Sequence, residues 1–234
     1  MPFMRSLVEI SLETIDSTQT YARAHRAEWG PSQLAVITAE HQAAGHGRFQ
    51  RPWVSQKGTN LLVTLAFQTQ AKELGSLAQL LALVLAHTLT VPVLLKWPND
   101  LLLSGKKLAG VLCEVDGPYV ALGFGLNVNQ TQFPIPATSL QLETGHAWDR
   151  AHLLRSILAQ FLPDLERFER EGFAPFRASF ERHLAYKGEK IRLTDGARIW
   201  EGICHSLADD GRLNLQLASG EIKTFASGEV TTAV

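Results

Sequence analysis

The chain has 234 residues, a formal net charge of −1, and 45% hydrophobic against 19% charged residues. That is enough chain for one large domain, or a large one with a small one, and too near neutrality for broad electrostatic binding of nucleic acid. Two cysteines, Cys113 and Cys204, suit a reducing compartment and exclude a cysteine-rich zinc site. The start, MPFMRSLVEISLE, has an acidic residue where a secretion signal needs an apolar run, and the longest apolar stretch, 77–89, is too short to cross a bilayer and contains Gln79 and His87. A cytoplasmic chain with no membrane partner is expected.

In chain order, residues 7–12 alternate as a strand does, and Asp16-Ser17-Thr18 follows as the cap of a helix running to about His25. Residues 34–39 form a second strand, and 60–67 a buried third one. Leucines at 74, 77, 81 and 85 mark a helix over 72–88. Short extended runs at 91–96 and 100–103 flank Trp97-Pro98-Asn99, and strands at 107–115 and 119–126 are parted by the turn Asp116-Gly117-Pro118. Residues 128–143 are irregular. A long amphipathic helix covers 149–171, with a kink expected at Pro163, and a short helix covers 174–183. From Glu189 onward the character changes to short strands at 190–194, 197–204, 212–217, 221–225 and 229–232, with glycine turns between them, a small β-barrel or roll. The fold class is α+β, its first sheet mainly antiparallel or mixed with helices on one face.

The segment between the second and third strands carries the first chemical signal. Gln42-Ala43-Ala44-Gly45-His46-Gly47-Arg48 is a small-residue loop that ends in cations, and Arg51, Trp53 and Lys57 follow. Glycines let main-chain amides approach a ligand, and successive amides make a concave anion site. The bland reading is a mobile surface loop. Ser17 and Thr18 place hydroxyls at a strand-to-helix junction, where plain capping competes. Lys96-Trp97-Pro98-Asn99-Asp100 packs a cation, an aromatic, an amide and a carboxylate into five residues. Asp100 is a candidate magnesium ligand, against a turn with an Asx bond. Gly105-Lys106-Lys107-Leu108-Ala109-Gly110 sets two lysines before a buried strand, against a solvated hairpin tip. Glycines at 123 and 125 suggest close approach by a ligand or another backbone, against packing on Phe124 or Trp97.

Together, in this order and spacing, these segments resemble those of the biotin–protein ligases (biotin–[acetyl-CoA-carboxylase] ligases). The matching stretches are Asp16-Ser17-Thr18, Glu40-His41-Gln42 with 45–48, Arg51-Pro52-Trp53, Gly58-Thr59-Asn60-Leu61, 96–100, 106–110, 123–129 and Ala226-Ser227-Gly228-Glu229-Val230, nearly the whole chain. The resemblance implies a class II aminoacyl-tRNA synthetase-like catalytic domain over 1–186 and an SH3-like β-barrel over 187–234. It implies activation of biotin with ATP to biotinyl-5′-AMP, with Mg2+ serving the phosphates, then transfer to a lysine of the biotin carboxyl carrier protein of acetyl-CoA carboxylase. By the same resemblance Lys107 and Arg48 are catalytic. Ser17, Thr18, Gln19, Gln42, His46, Gly47, Arg48, Lys107 and Gly110 serve biotin, and Arg48, Trp53, Asn99, Lys107 and Asn127 serve ATP. Asp100 is the candidate metal ligand. A homodimer is an expectation from the family alone.

Two positions depart from the family pattern: His46 stands where arginine is common, and Gln19 where asparagine is. Some members carry a DNA-binding module ahead of the ligase. Here the first motif begins at Asp16, so a ligase without repressor activity and without DNA as a partner is expected. The nearest rival is a lipoate or octanoate ligase or transferase of the same fold. A rival of another class is a non-catalytic binding module built on the C-terminal barrel.

Overall fold

The computed structural model describes residues 5–71 and 74–233. Seven strands form the first sheet: β1 (Ser6–Ile15), β2 (Gln33–Gln42), β3 (Leu61–Gln68), β4 (Leu94–Lys96), β5 (Asp100–Leu103), β6 (Lys106–Asp116) and β7 (Tyr119–Leu126). Their order is β1-β2-β3-β7-β6-β5-β4. Only β1 and β2 run parallel, which requires a crossover between them; every other neighbouring pair is antiparallel. The crossover is α1 (Thr18–Ala24), capped by the Ser17 side chain, which accepts from the amide of Gln19.

Alternation sends the two faces to different partners. Leu34, Val36, Leu65, Phe67, Val120 and Leu122 face a thick apolar layer containing α2 (Leu77–Thr88), α4 (Arg150–Glu171) and α5 (Ala174–His183), the short α3 (Leu140–Thr144) lying between the sheet and α4 in sequence. Ala35, Ile37, Ala66 and Ala121 face the other way, against Ala22 of α1 and Trp29. Helices on one face only were expected, and α1 corrects this: alanines on that side leave room for a short helix to lie close to the sheet.

The predicted start of α2 at 72 falls on residues outside those described. The helix begins at Leu77, after Gly75 and Ser76, and is buried on nearly every side, not along one stripe. The long helix α4 continues through Pro163 as a single 22-residue element.

A second, five-stranded antiparallel sheet comprises β8 (Lys190–Asp195), β9 (Arg198–Leu207), β10 (Leu213–Gln216), β11 (Ile222–Phe225) and β12 (Glu229–Thr232), in the order β11-β10-β9-β8-β12. It is the SH3-like unit. Its inward residues Ile191, Leu193, Leu215 and Val230 join the same apolar cluster as the first sheet, so the core is continuous between the two.

Candidate active site

One cleft opens over the centre of the first sheet, and it holds about 940 Å3 of atom-free space with its mouth included. Strands β3, β6 and β7 form its floor, α1 and the 45–53 loop its walls, and Gly228, Glu229 and Val230 reach it from the second sheet.

A β-bulge makes the floor chemically useful. On β6, Gly110 pairs with Asp100 but Lys107 pairs with Leu102, so Leu108 is an extra residue in the ladder. Residues three apart on a regular strand point to opposite faces; the bulge turns Lys107 and Gly110 to the same one. The Lys107 amine then donates to Asp100 Oδ1 at 2.8 Å and lies 5.7 Å from the Trp53 ring centroid. A Cβ at Gly110 would sit 3.2 Å from Lys107 Nζ and 3.3 Å from Asp100 Oδ1, so a side chain there would press on both. Its cross-strand partner is Gly125, where a Cβ would overlap the Trp53 indole. The indole therefore lies directly against bare backbone, its buried Nε1 without a protein acceptor.

The loop brings the second cation. Arg48 Nη1 donates to Asn99 Oδ1 at 3.2 Å and to the carbonyl of Gly228 at 3.1 Å. Burial pushes its pKa down, opposed by the charges of Asp100 and Glu229, and a guanidinium keeps its charge at neutral pH. Asn99 is fixed in turn by its donation to the Val111 carbonyl at 2.7 Å. Arg51 forms a two-pronged ion pair with Glu229, 2.7 and 2.6 Å, and this hydrogen bond holds the Glu229 carboxyl below the usual range. Between the two arginines, Phe49 and Gln50 both sit at φ 56, a left-handed conformation costing about 1–2 kcal/mol per residue. Phe49 is exposed, with both guanidiniums over its ring.

A second group of lining residues is neutral and linked. Gln42 Oε1 accepts from the Thr18 amide at 2.8 Å and hydroxyl at 3.0 Å. The Thr64 hydroxyl lies 2.9 Å from Thr18 Oγ1 and 3.1 Å from Gln19 Oε1, and Gln19 Nε2 donates to the Ala121 carbonyl. Counting the lining, Arg48, Arg51, Lys96 and Lys107 against Asp100 and Glu229 leave two net positive charges. The site thus pairs a neutral hydrogen-bonding pocket with a cationic one, suited to a ligand with an uncharged polar head and an anionic end.

Comparison with known proteins gives the family. Residues 11–128 match the biotin/lipoate A/B protein ligase family and residues 187–231 the biotin protein ligase C-terminal domain. A biotin–[acetyl-CoA-carboxylase] ligase of Paracoccus denitrificans is 35% identical over 89% of this chain and 94% of its own length. One from Mycobacterium tuberculosis is 32% identical over 92% and 85%. The biotin protein ligase of Aquifex aeolicus, solved in complex with biotin and ATP, superposes with a TM-score of 0.85 at 32% identity, covering 95% of this chain and 97% of that one.

The chain belongs to the biotin protein ligase family. Of the residues that the resemblance named, Ser17, Thr18, Gln19, Gln42, His46, Gly47, Arg48, Trp53, Asn99, Asp100, Lys107 and Gly110 all line the one cleft. Asn127 does not. It lies just past the end of β7, buried, with its amide donating to the Thr138 carbonyl at 3.0 Å, and it belongs to a structural network with Asn60 and Gln130. His46, the family departure, lines the cleft beside Gly47, its backbone bridged to Pro52 and its Nδ1 3.4 Å from the Ala44 carbonyl. Thr64 escaped the sequence reading, although a hydroxyl inside the apolar run Leu-Leu-Val-Thr-Leu-Ala-Phe was its signal. Gly228 and Glu229 stand in a stretch that matches the family, but nothing local pointed to their contacts with Arg48 and Arg51. Among the described residues, no group of three or more His, Cys, Asp or Glu side chains could hold a metal ion, and no helix is long and apolar enough to cross a membrane.

Proposed function

We propose that this chain is a biotin–protein ligase that forms biotinyl-5′-AMP from biotin and ATP and passes the biotinyl group to a lysine of a biotin carboxyl carrier protein. The observation that carries the reading is the convergence of Lys107 and Arg48, from the floor and the loop, beside the neutral pocket of Ser17, Thr18 and Gln42.

In the first step a carboxylate oxygen of biotin attacks the α-phosphorus of ATP, and the bond to pyrophosphate breaks. Two anions must meet, so the barrier falls where fixed positive charge already surrounds the meeting point. Lys107 and Arg48 supply that charge, with Asp100 and Asn99 holding them in place. The ureido head of biotin needs hydrogen-bond partners once buried, and Ser17, Thr18 and Gln42 offer them. An octanoyl chain in the same place would leave those groups unmatched, a discrimination that favours biotin over the lipoate-type rival. Trp53 presents its face and an unpaired N–H on the nucleotide side. In the second step the carrier lysine amine attacks the acyl carbon and AMP leaves.

Mg2+ fits only in the manner usual for nucleotide enzymes, with one or two carboxylates and mostly phosphate and water ligands; Asp100 is the carboxylate in position, and the ion would neutralise phosphate charge. The relatives' names support acetyl-CoA carboxylase as the source of the carrier, and a cytoplasmic location suits that partner.

The test is incubation with α-labelled ATP, Mg2+ and biotin, lipoate or octanoate in turn, without a carrier. A biotin-dependent adenylate is expected, and a carrier domain added afterwards should take up the label-free biotinyl group. An adenylate formed with lipoate alone would overturn the substrate.

A further inference from the structure

We propose that the carbonyl of Gly211 is the point that seats the C-terminal sheet on the catalytic turn, residues 96–100 between β4 and β5, and that Trp97 and Gln79 act through it as positioning residues for ATP. The inference rests on the adenylating function proposed above.

Gly211 lies in the turn between β9 and β10, where its amide donates to Ala208 and the Ala208 amide to Arg212. Two side chains of the other sheet's layer converge on its carbonyl: Gln79 Nε2 from α2 at 2.8 Å and Trp97 Nε1 from the catalytic turn at 3.0 Å. Both donors are at most 3% exposed. Gly211 has φ +85, and a Cβ there would collide with Gln79 Oε1, so the turn must be glycine for the carbonyl to reach so deep. A carbonyl has two lone pairs and here uses both on buried donors, in an interior where unpaired groups are costly.

The position of this junction gives it a function. Trp97 is bonded in sequence to the segment carrying Asn99 and Asp100, which hold Arg48 and Lys107. From the far side, the same C-terminal sheet offers the Gly228 carbonyl to Arg48 and the Glu229 carboxylate to Arg51. The sheet therefore grips the cationic half of the cleft at two places, and Gly211 sets where that grip falls. The neutral half makes no such contact among the described residues: the side chains of Ser17, Thr18, Gln19, Gln42 and Thr64 hydrogen-bond within their own group and to the Ala121 carbonyl, and to nothing in the second sheet. Loosening the junction should weaken ATP binding and leave biotin binding alone.

The experiment uses the full chain with Trp97→Phe, which keeps a ring, Gln79→Met, which keeps the length, and the pair combined. KM for ATP and for biotin are read by biotin-dependent ATP–pyrophosphate exchange. In the double variant KM for ATP is expected to rise about fivefold or more, the equivalent of roughly one buried hydrogen bond, with KM for biotin within about twofold. Each single variant should show less than half of the effect, since one donor still holds the carbonyl. An unchanged KM for ATP, or an equal rise in both constants, overturns the proposal. Amide hydrogen exchange reads the same coupling without turnover. Faster exchange at 226–231 and 47–52, with 15–19 unchanged, is expected, and a change confined to 208–212 would overturn it. If wild-type protein shows no biotin-dependent exchange of pyrophosphate, the functional reading fails, while hydrogen exchange still decides the junction. Should the double variant not fold, hydrogen exchange of Trp97→Phe decides, with the same expected and overturning outcomes.

Discussion

Lys107 shows how little of a side chain's role lies in its own identity. Its amine is placed by a bulge, restrained by Asp100 at 2.8 Å and lidded by a glycine that leaves it room. Replacing it with glutamine keeps a polar side chain, one bond shorter, and removes the charge. Adenylate formation in a single turnover is expected to fall by about 10²–10³, the usual loss for one preorganised group at a developing charge. The melting temperature should move little, because an ion pair still open to solvent, its side chains 35% and 20% exposed, adds modest stability. A buried thiol makes the opposite case, a titratable group with no chemistry. Cys204 is 1% exposed, and burial pushes its pKa up to about 11. At pH 8 iodoacetamide should therefore label it far more slowly in native protein than in urea. The folded value lies above the unfolded one of about 8.5, so its contribution is whole below pH 8.5 and is lost as pH rises towards 11. The urea midpoint of wild type should fall over that window more steeply than that of Cys204→Ala.

At the scale of elements, β6 and β7 are a floor defined by missing side chains. Gly110 faces Gly125 across the ladder, and Leu112 faces Gly123. Gly125→Ala puts a methyl where the Trp53 ring lies. The expected result is a displaced indole, seen as a shift in tryptophan emission, and a KM for ATP raised at least tenfold. The fold should lose only the one to three kcal/mol, roughly, of an overpacked site. An unchanged emission spectrum with normal KM would show that the ring does not depend on this platform. The strands themselves were legible, since alternation and glycine turns are local signals. The glycines were legible as points of close approach, but not their partners: Trp53 and Gln19 fill the space above Gly125 and Gly123, where Phe124 or Trp97 was the competing expectation. The bulge was invisible because register belongs to two strands at once. Asn127 is a related case: its residue type and place at a strand end fit a ligand contact, and only the fold reveals that its side chain is bonded to Thr138 and Asn60.

At the scale of the whole molecule, the second sheet completes a cleft built almost wholly by the first. Its strands could be read from turn spacing, and its contacts could not, since they depend on residues some 180 positions apart meeting in space, as Arg48 and Gly228 do. The pair of Arg51 and Glu229 is where this dependence is most directly measured. Glu229 hydrogen-bonds to Arg51 and to no other side chain among the described residues. If it serves the reaction only by aiming that guanidinium, Glu229→Gln should cost activity while Arg51 is present and nothing once Arg51 is glutamine. The two substitutions should then be non-additive in kcat/KM for ATP, with a coupling of about fivefold or more, inside the range for residues in direct contact. Stability should show almost no coupling, because the pair is largely exposed. The pH of the measurement follows from the shift. The Arg51 hydrogen bond holds the Glu229 pKa below its unfolded value, so the charge is present above the ordinary carboxylate range and is lost only as pH falls through the lowered value. A cycle run between pH 6 and 8 sees the pair fully formed, and additive losses there would mean that Glu229 acts on the nucleotide by a route other than Arg51.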